Sequence, residues 1–206
     1  MADYIRVNPD NPDSKVIGKI AERLRNGAII IYPTDTVYGV GCDITNAKAI
    51  DKVARIKGTQ AKKANLAIVC HNLSHLANYV RPIPNSVFRV LKKSLPGAFT
   101  FILPANTKVP KVFNTKKKEV GIRVPDNKIP RAIVEELGNP IVTTSVVQIS
   151  DLEDFPADPQ MIYEQFKNQV DIVIDGGYGN SIPSTIVIAN GEEFEVIRQG
   201  LGDFNP

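Results

Sequence analysis

The sequence predicts a single α/β domain over residues 1–206, with one open, twisted mixed sheet flanked by helices. Three observations predict it. Short apolar runs rich in β-branched residues interleave with amphipathic segments of helical period along the whole chain. Proline and glycine punctuate the joins between them. The length of 206 residues suits one domain, and no internal repeat divides it.

The elements follow in order. Residues 15–26 place Val16, Ile20 and Leu24 at helical spacing and stop at Gly27. Ala28 to Tyr32 is an apolar run ended by Pro33, short and β-branched enough to be a buried strand. Residues 47–56 read as a second helix and Leu66 to Cys70 as another buried strand. Residues 85–93 form an amphipathic helix whose basic last turn complements its dipole. A turn at Pro96-Gly97 leads into a strand over 99–103. Residues 120–124 are a strand ended by Pro125, and 130–137 a helix closed by Gly138. Strands over 141–147, 170–175, 185–189 and 194–198 complete the set. The polar, proline-bearing stretches 107–119 and 151–159 read as surface loops.

Composition excludes several classes. With 43% hydrophobic and 23% charged residues the chain is an ordinary globular one. No run of about 18 apolar residues exists, so no membrane span is expected. The N-terminal residues show no basic start followed by an apolar stretch, which speaks against a signal peptide. Cys42 and Cys70 lie in apolar segments without a Cys-x-x-Cys pattern and read as buried thiols of a reducing compartment, the cytoplasm. A net charge of +3 is mild. It does not by itself imply nucleic acid; how the charge clusters matters more.

The chemistry concentrates first in Tyr32-Pro33-Thr34-Asp35-Thr36-Val37-Tyr38-Gly39-Val40-Gly41-Cys42-Asp43. A strand ends at a proline, two hydroxyls and a carboxylate occupy the turn, and two glycines allow close backbone approach. Polar groups beyond the carboxyl end of a buried strand are where open α/β sheets hold ligands. The plain alternative is a turn between two strands.

Residues 33–41 resemble the opening signature of the YrdC/YciO family, the threonylcarbamoyl-AMP synthase-like proteins. Further stretches match in order. Lys57 follows a helix, as in the family's Lys-x-Arg element. Pro96-Gly97-Ala98-Phe99-Thr100-Phe101 resembles a Pro-Gly-x-x-Thr turn, and Gly121-Ile122-Arg123-Val124-Pro125 a Gly-x-Arg-x-Pro strand. Pro183-Ser184-Thr185-Ile186-Val187, followed by Arg198-Gln199-Gly200, resembles the closing Pro-Ser-Thr-Val-Val and Arg-x-Gly pair.

The resemblance implies a deep basic groove. It implies ATP, bicarbonate and L-threonine as substrates, usually with Mg²⁺, and threonylcarbamoyl-AMP and pyrophosphate as products, which feed a tRNA modification. A carbamate formed from threonine attacks the α-phosphorus, so catalysis is mostly positioning plus cationic stabilisation. Carried over residue by residue, the resemblance makes Lys57 and Arg123 the catalytic cations. It assigns Lys57, Lys63, Ser145, Ser184 and Arg198 to the nucleotide, and Thr34, Thr36, Tyr38, Thr100 and Arg123 to the substrate. No resident metal site is expected. Arg123, inside an apolar strand, needs a partner or a ligand on physical grounds alone.

Two departures stand out. The family's Lys-x-Arg-Pro element reads Lys57-Gly58-Thr59-Gln60 here, and its Ser-Thr-Ser-Ala-Asn element reads Thr143-Thr144-Ser145-Val146-Val147. Thr59 cannot make arginine's planar, bidentate phosphate contact, and Val147 neither donates nor accepts. Both departures resemble the YciO-type branch. Three functions follow as expectations: a weak or altered ATP-dependent synthase, a protein binding double-stranded, transfer or ribosomal RNA by shape and charge, and a nucleotide sensor without turnover. Lys62 is a candidate stand-in for the missing arginine. Lys116-Lys117-Lys118 reads as a solvated loop, with a contact to RNA phosphates as the sharper alternative. His71 and His75, four apart, read as ordinary surface or capping residues rather than metal ligands on one helix face.

Overall fold

A computed structural model describes residues 1–60, 64–110, 118–146, 156–191 and 193–206. In chain order the elements are β1 (Asp3–Arg6), α1 (Ser14–Arg25), β2 (Ile30–Tyr32), β3 (Gly39–Asp43), α2 (Ala47–Ile56), β4 (Ala67–Val69), α3 (Leu73–Ala77), α4 (Asn85–Ser94), β5 (Phe99–Pro104), β6 (Glu119–Arg123), α5 (Lys128–Leu137), β7 (Ile141–Ser145), α6 (Pro159–Phe166), β8 (Ile172–Asp175), β9 (Thr185–Asn190) and β10 (Glu193–Arg198). The ten strands among the described residues form one sheet in the order β1-β8-β2-β3-β7-β4-β6-β5-β9-β10. Parallel pairs such as β2–β8 and β5–β9 occur beside antiparallel ones such as β3–β7 and β5–β6, so the sheet is mixed, as expected.

Strand periodicity splits the core between the two faces. Ile29 and Ile31 point into a large cluster with Ile50 and Val53 of α2, Leu91 of α4 and Phe166 of α6. Their neighbours Ile30 and Tyr32 point the other way, onto Ile20 and Leu24 of α1 and Ile133 and Val134 of α5. Both faces are therefore covered by helices.

Local rules explain most boundaries. The carboxylate of Asp13 accepts from the backbone N–H groups of Lys15 (2.8 Å) and Val16 (3.2 Å), which starts α1 one residue before the expected helix. Its buried face is Ile17, Ile20, Ala21 and Leu24, with Val16 partly buried at the margin of the same cluster. Gly138 ends α5 in the left-handed region at φ 77°. Four elements went unforeseen. β1 and α3 are too short to show a period. α6 begins at Pro159, inside the stretch expected as loop, with Asp158 as its cap. β3 was not assigned among the expected strands, and its Gly39 and Gly41 were read only as allowing close backbone approach after the turn. Both glycines are instead required inside the sheet: a Cβ on Gly41 would stand 2.4 Å from the Val142 carbonyl oxygen, and one on Gly39 2.9 Å from the Tyr32 ring.

Cys42 and Cys70 are buried free thiols, as expected, and burial holds both far above the usual thiol range. No helix among the described residues is long and apolar enough to cross a membrane.

The two histidines are not a helix-face pair. His71 precedes Asn72, the cap of α3, and only His75 lies in the helix. Their rings stack with centroids 4.5 Å apart, and His75 is buried rather than on the surface. Burial, with the neighbouring His71, pushes the His75 imidazole down to about 4 from an ordinary 6.5. Between those pH values the unfolded chain binds a proton that the folded chain refuses. His75 therefore contributes stability that is complete above pH 6.5 and is lost as the pH falls towards 4. We expect the midpoint temperature of His75→Gln to fall less than that of the parent between pH 7 and pH 4.5. Parallel curves from the two proteins would disprove this assignment.

Candidate functional site

The site lies where the segment between β2 and β3 meets the ends of β4, β6, β7 and β9. Pro33 ends β2, and the chain turns through Thr34, Asp35 and Thr36. The Thr34 hydroxyl accepts from the Thr36 N–H (3.0 Å), lies 3.1 Å from the Thr36 hydroxyl and donates to the Val37 carbonyl (2.8 Å). This hydroxyl-stitched turn fixes where the carboxylate of Asp35 points.

Arg123 leaves the last position of β6 and meets that turn. Its Nη2 donates to Asp35 Oδ1 at 2.9 Å and to Thr36 Oγ1 at 3.0 Å. The pair is nearly dry, with side chains 9% and 12% exposed. Arg123 Nε and Asp35 Oδ2 are both buried and have no hydrogen-bond partner. This carboxylate is the partner that an arginine in an apolar strand required.

A second group closes the opposite wall. The Thr100 and Ser184 hydroxyls lie 2.8 Å apart. Arg198 Nη2 donates to the Ser184 carbonyl (2.7 Å) and to the Ser184 hydroxyl (3.3 Å), and its Nε donates to the same carbonyl (3.2 Å). Lys57, the C-cap of α2, donates from Nζ to the Ala64 carbonyl at 2.6 Å. Lys57 and Arg198 are rim residues, exposed as whole side chains. Even so, partial burial and the nearby Arg198 hold the Lys57 ammonium below the usual lysine range. Partial burial and Arg123 likewise lower Arg198.

The two walls enclose a cavity of about 280 Å³. Lys57, Arg123 and Arg198 line it with the hydroxyl residues Thr34, Tyr38, Thr100, Ser145 and Ser184, so eight of the expected site residues meet in one place. Thr36 sits behind the wall, fully buried, where it supports Arg123. Lys63 and Lys62 lie outside the described residues, as do Val147, Lys116 and Lys117. Tyr38 lends its ring to the cavity, while its hydroxyl donates to the Gly177 carbonyl at 2.7 Å.

Sequence reasoning missed Asp35, Asn65 and Thr143 as site residues. Thr143 accepts from the Tyr32 hydroxyl (2.6 Å) and donates to the Val40 carbonyl (3.2 Å) on the cavity floor. Burial pushes the Tyr32 phenol up to about 12, so it stays a neutral donor. The signal for Asp35 was present: a carboxylate set between two hydroxyls, in a chain with one strand arginine lacking a partner. Nothing in the sequence marks the two as neighbours across 88 positions.

None of the lining residues among those described is a carboxylate. No cluster of three His, Cys, Asp or Glu among the described residues could hold a metal. The cavity therefore offers three cations and a ring of hydroxyls to an anionic ligand. To a hard cation the described lining offers only neutral oxygens and no carboxylate.

Comparison with known proteins places the chain in a family. The family model Sua5/yciO/yrdC, described as "Telomere recombination", matches residues 22–200. The protein YciO of Escherichia coli strain K12 is 35% identical over 207 residues, covering 100% of this chain and 99% of its own. The crystal structure of E. coli YciO superposes with a TM-score of 0.91 over 98% of both chains. A threonylcarbamoyl-AMP synthase of Pseudoalteromonas translucida is 30% identical over 194 residues, 88% of this chain and 98% of its own. The crystal structure of P. abyssi Sua5 complexed with L-threonine is 25% identical with a TM-score of 0.85, covering 97% of this chain and 57% of that longer one.

Proposed function

The chain belongs to the Sua5/YciO/YrdC family, and on that premise we propose that its cavity binds ATP and supports slow, ATP-dependent formation of threonylcarbamoyl-AMP. One observation carries the reading. Lys57, Arg123 and Arg198 converge on a single hydroxyl-rich cavity whose described lining holds no carboxylate. Three cations lining one cavity with no described carboxylate among them are arranged for an anion with several charges.

In the proposed reaction the amino group of threonine takes up bicarbonate to give a carbamate and water. A carbamate oxygen then bonds to the α-phosphorus as the bond to the β-phosphate bridging oxygen breaks, and pyrophosphate leaves with that electron pair. Arg198 and Lys57, at the rim, hold the departing phosphates. Arg123, deeper and fixed on Asp35 and Thr36, faces the charge that builds at the α-phosphate. The Thr100–Ser184 and Thr34 hydroxyls orient the reacting groups. Thr59 stands where synthases carry an arginine, so turnover is expected to be lower by about 10²–10³-fold.

The test is incubation with ATP, bicarbonate and threonine. Threonine-dependent pyrophosphate release is the expected result, and release no faster than the enzyme-free blank at high protein concentration would overturn the reading. Arg198→Ala is expected to weaken ATP binding by about tenfold, one charge-assisted hydrogen bond at a half-solvated rim. Lys92→Ala, which removes a positive charge from the exposed side of α4, is the matched control and should leave binding unchanged. Thermal shift against ATP concentration reads both.

A further inference from the structure

The ion pair between Asp35 and Arg123 is joined by one arm only. Arg123 Nη2 reaches Asp35 Oδ1, while Arg123 Nε and Asp35 Oδ2 stay buried without partners. A carboxylate and a guanidinium free to choose their geometry close two parallel hydrogen bonds. Here the hydroxyl-stitched turn fixes the carboxylate, and Thr36 Oγ1 shares the same Nη2. The one-armed geometry is thus imposed by the backbone of the Thr34–Thr36 turn. Arg123 lines the cavity and Asp35 does not. Asp35 therefore makes no contact of its own with a ligand in the cavity and reaches it through the arginine.

We propose that Asp35 is a positioning residue: it anchors Arg123 by one arm, so that the part of the guanidinium that lines the cavity stays aimed at the anion there. A two-armed pair would turn the fork wholly towards the carboxylate and spend both donors there. An unanchored arginine would sample many rotamers and lose the advantage of preorganisation. The arrangement also explains why a carboxylate is present so close to a cation-lined cavity without lining it. The pair needs a counter-charge to be buried at all, and placing it behind the arginine leaves the ligand's side purely cationic. This role rests on the anion-binding reading given above for its ligand, but the anchoring itself does not.

The experiment is a double-mutant cycle on inorganic pyrophosphate affinity, measured by calorimetry on the full chain. In the parent, Arg123→Lys is expected to weaken binding about tenfold, because a lysine keeps the charge and loses the fork. In an Asp35→Ala background the same change is expected to cost less than about threefold, since an unanchored Arg123 has little left to lose. Asp35→Asn, which keeps one acceptor, should restore part of the coupling. A generally structural role for Asp35 would weaken binding without changing the cost of Arg123→Lys; equal costs in both backgrounds overturn the proposal. Side-chain NMR of 15N-arginine protein tests the anchoring without any ligand. The Arg123 guanidinium protons should exchange with water at least tenfold faster in Asp35→Ala, and faster by a smaller factor in Asp35→Asn, which serves also if Asp35→Ala does not fold. Unchanged exchange overturns the anchoring. If pyrophosphate does not bind the parent at all, the anion-binding reading fails and the exchange measurement alone decides the role of Asp35.

Discussion

Arg123→Met is expected to cost about 3–5 kcal/mol of folding stability. The reason is what it leaves behind. The Asp35 side chain is 12% exposed, and Arg123 provides its ion pair. Removing the cation abandons a carboxylate in a dry site, with Thr36 unable to supply the missing charge. The partner experiment separates this from simple loss of packing. The double variant Asp35→Leu with Arg123→Met removes both charges, and it should recover most of the lost stability, because well-packed apolar groups of similar volume replace buried ion pairs at little net cost. Urea unfolding of the parent, the single and the double variant reads the result. A double variant as unstable as the single one would mean that Asp35 was never the source of the penalty. On the proposed function, both variants should lose nucleotide-induced thermal stabilisation, and a double variant that regains stability without regaining that response would tie the pair to the ligand rather than to the fold.

Gly200→Ala is expected to cost about 1–3 kcal/mol of stability and to lower ATP affinity at least as far as Arg198→Ala does. A Cβ on Gly200 would stand 2.2 Å from the Pro183 carbonyl oxygen and 2.5 Å from the Ser184 carbonyl carbon. Both atoms are backbone and cannot rotate away. The Gly200 N–H also donates to the Thr185 hydroxyl at 2.9 Å. The segment after β10 must therefore lift off Pro183–Thr185, and Arg198 must release the Ser184 carbonyl with it. Gly18 provides the contrast. It lies inside α1 with nothing within 4 Å of its Cβ position, so Gly18→Ala should stabilise by roughly 0.5–1 kcal/mol with no effect on ATP. Equal thermal behaviour of the two variants would refute the close-approach argument.

The sequence made the sheet legible wherever an apolar run was long enough to exceed a turn, as at Ile30–Tyr32 and Ile172–Asp175. It hid β3, because Gly39 and Gly41 look like breakers until the neighbouring backbones are seen to leave no room for a side chain. It hid α3 and α6 for want of length or because proline opened them. The cations and hydroxyls of the cavity were legible from residue type plus resemblance. Their partners were not. That Arg123 would be answered by Asp35, that Thr36 would stand behind the wall, and that Thr143 would complete the floor all depend on pairings between distant strands, and residue spacing along the chain carries no information about those.

The order of strands has a consequence for how such a site comes into being. β2 is flanked by β3 and by β8, whose partner residues are more than 130 positions away, and β5 rests on β9, some 85 positions on. As the chain leaves the ribosome, Lys57 emerges early and Arg123 midway, yet neither faces a finished cavity until β9 and β10 have been synthesised and slotted in. Local pairings cannot assemble it piecemeal, and closing such remote pairs is slow. A nascent or truncated chain should thus be blind to nucleotide, and recovery of anion affinity during refolding should mark the last step of assembly rather than the first.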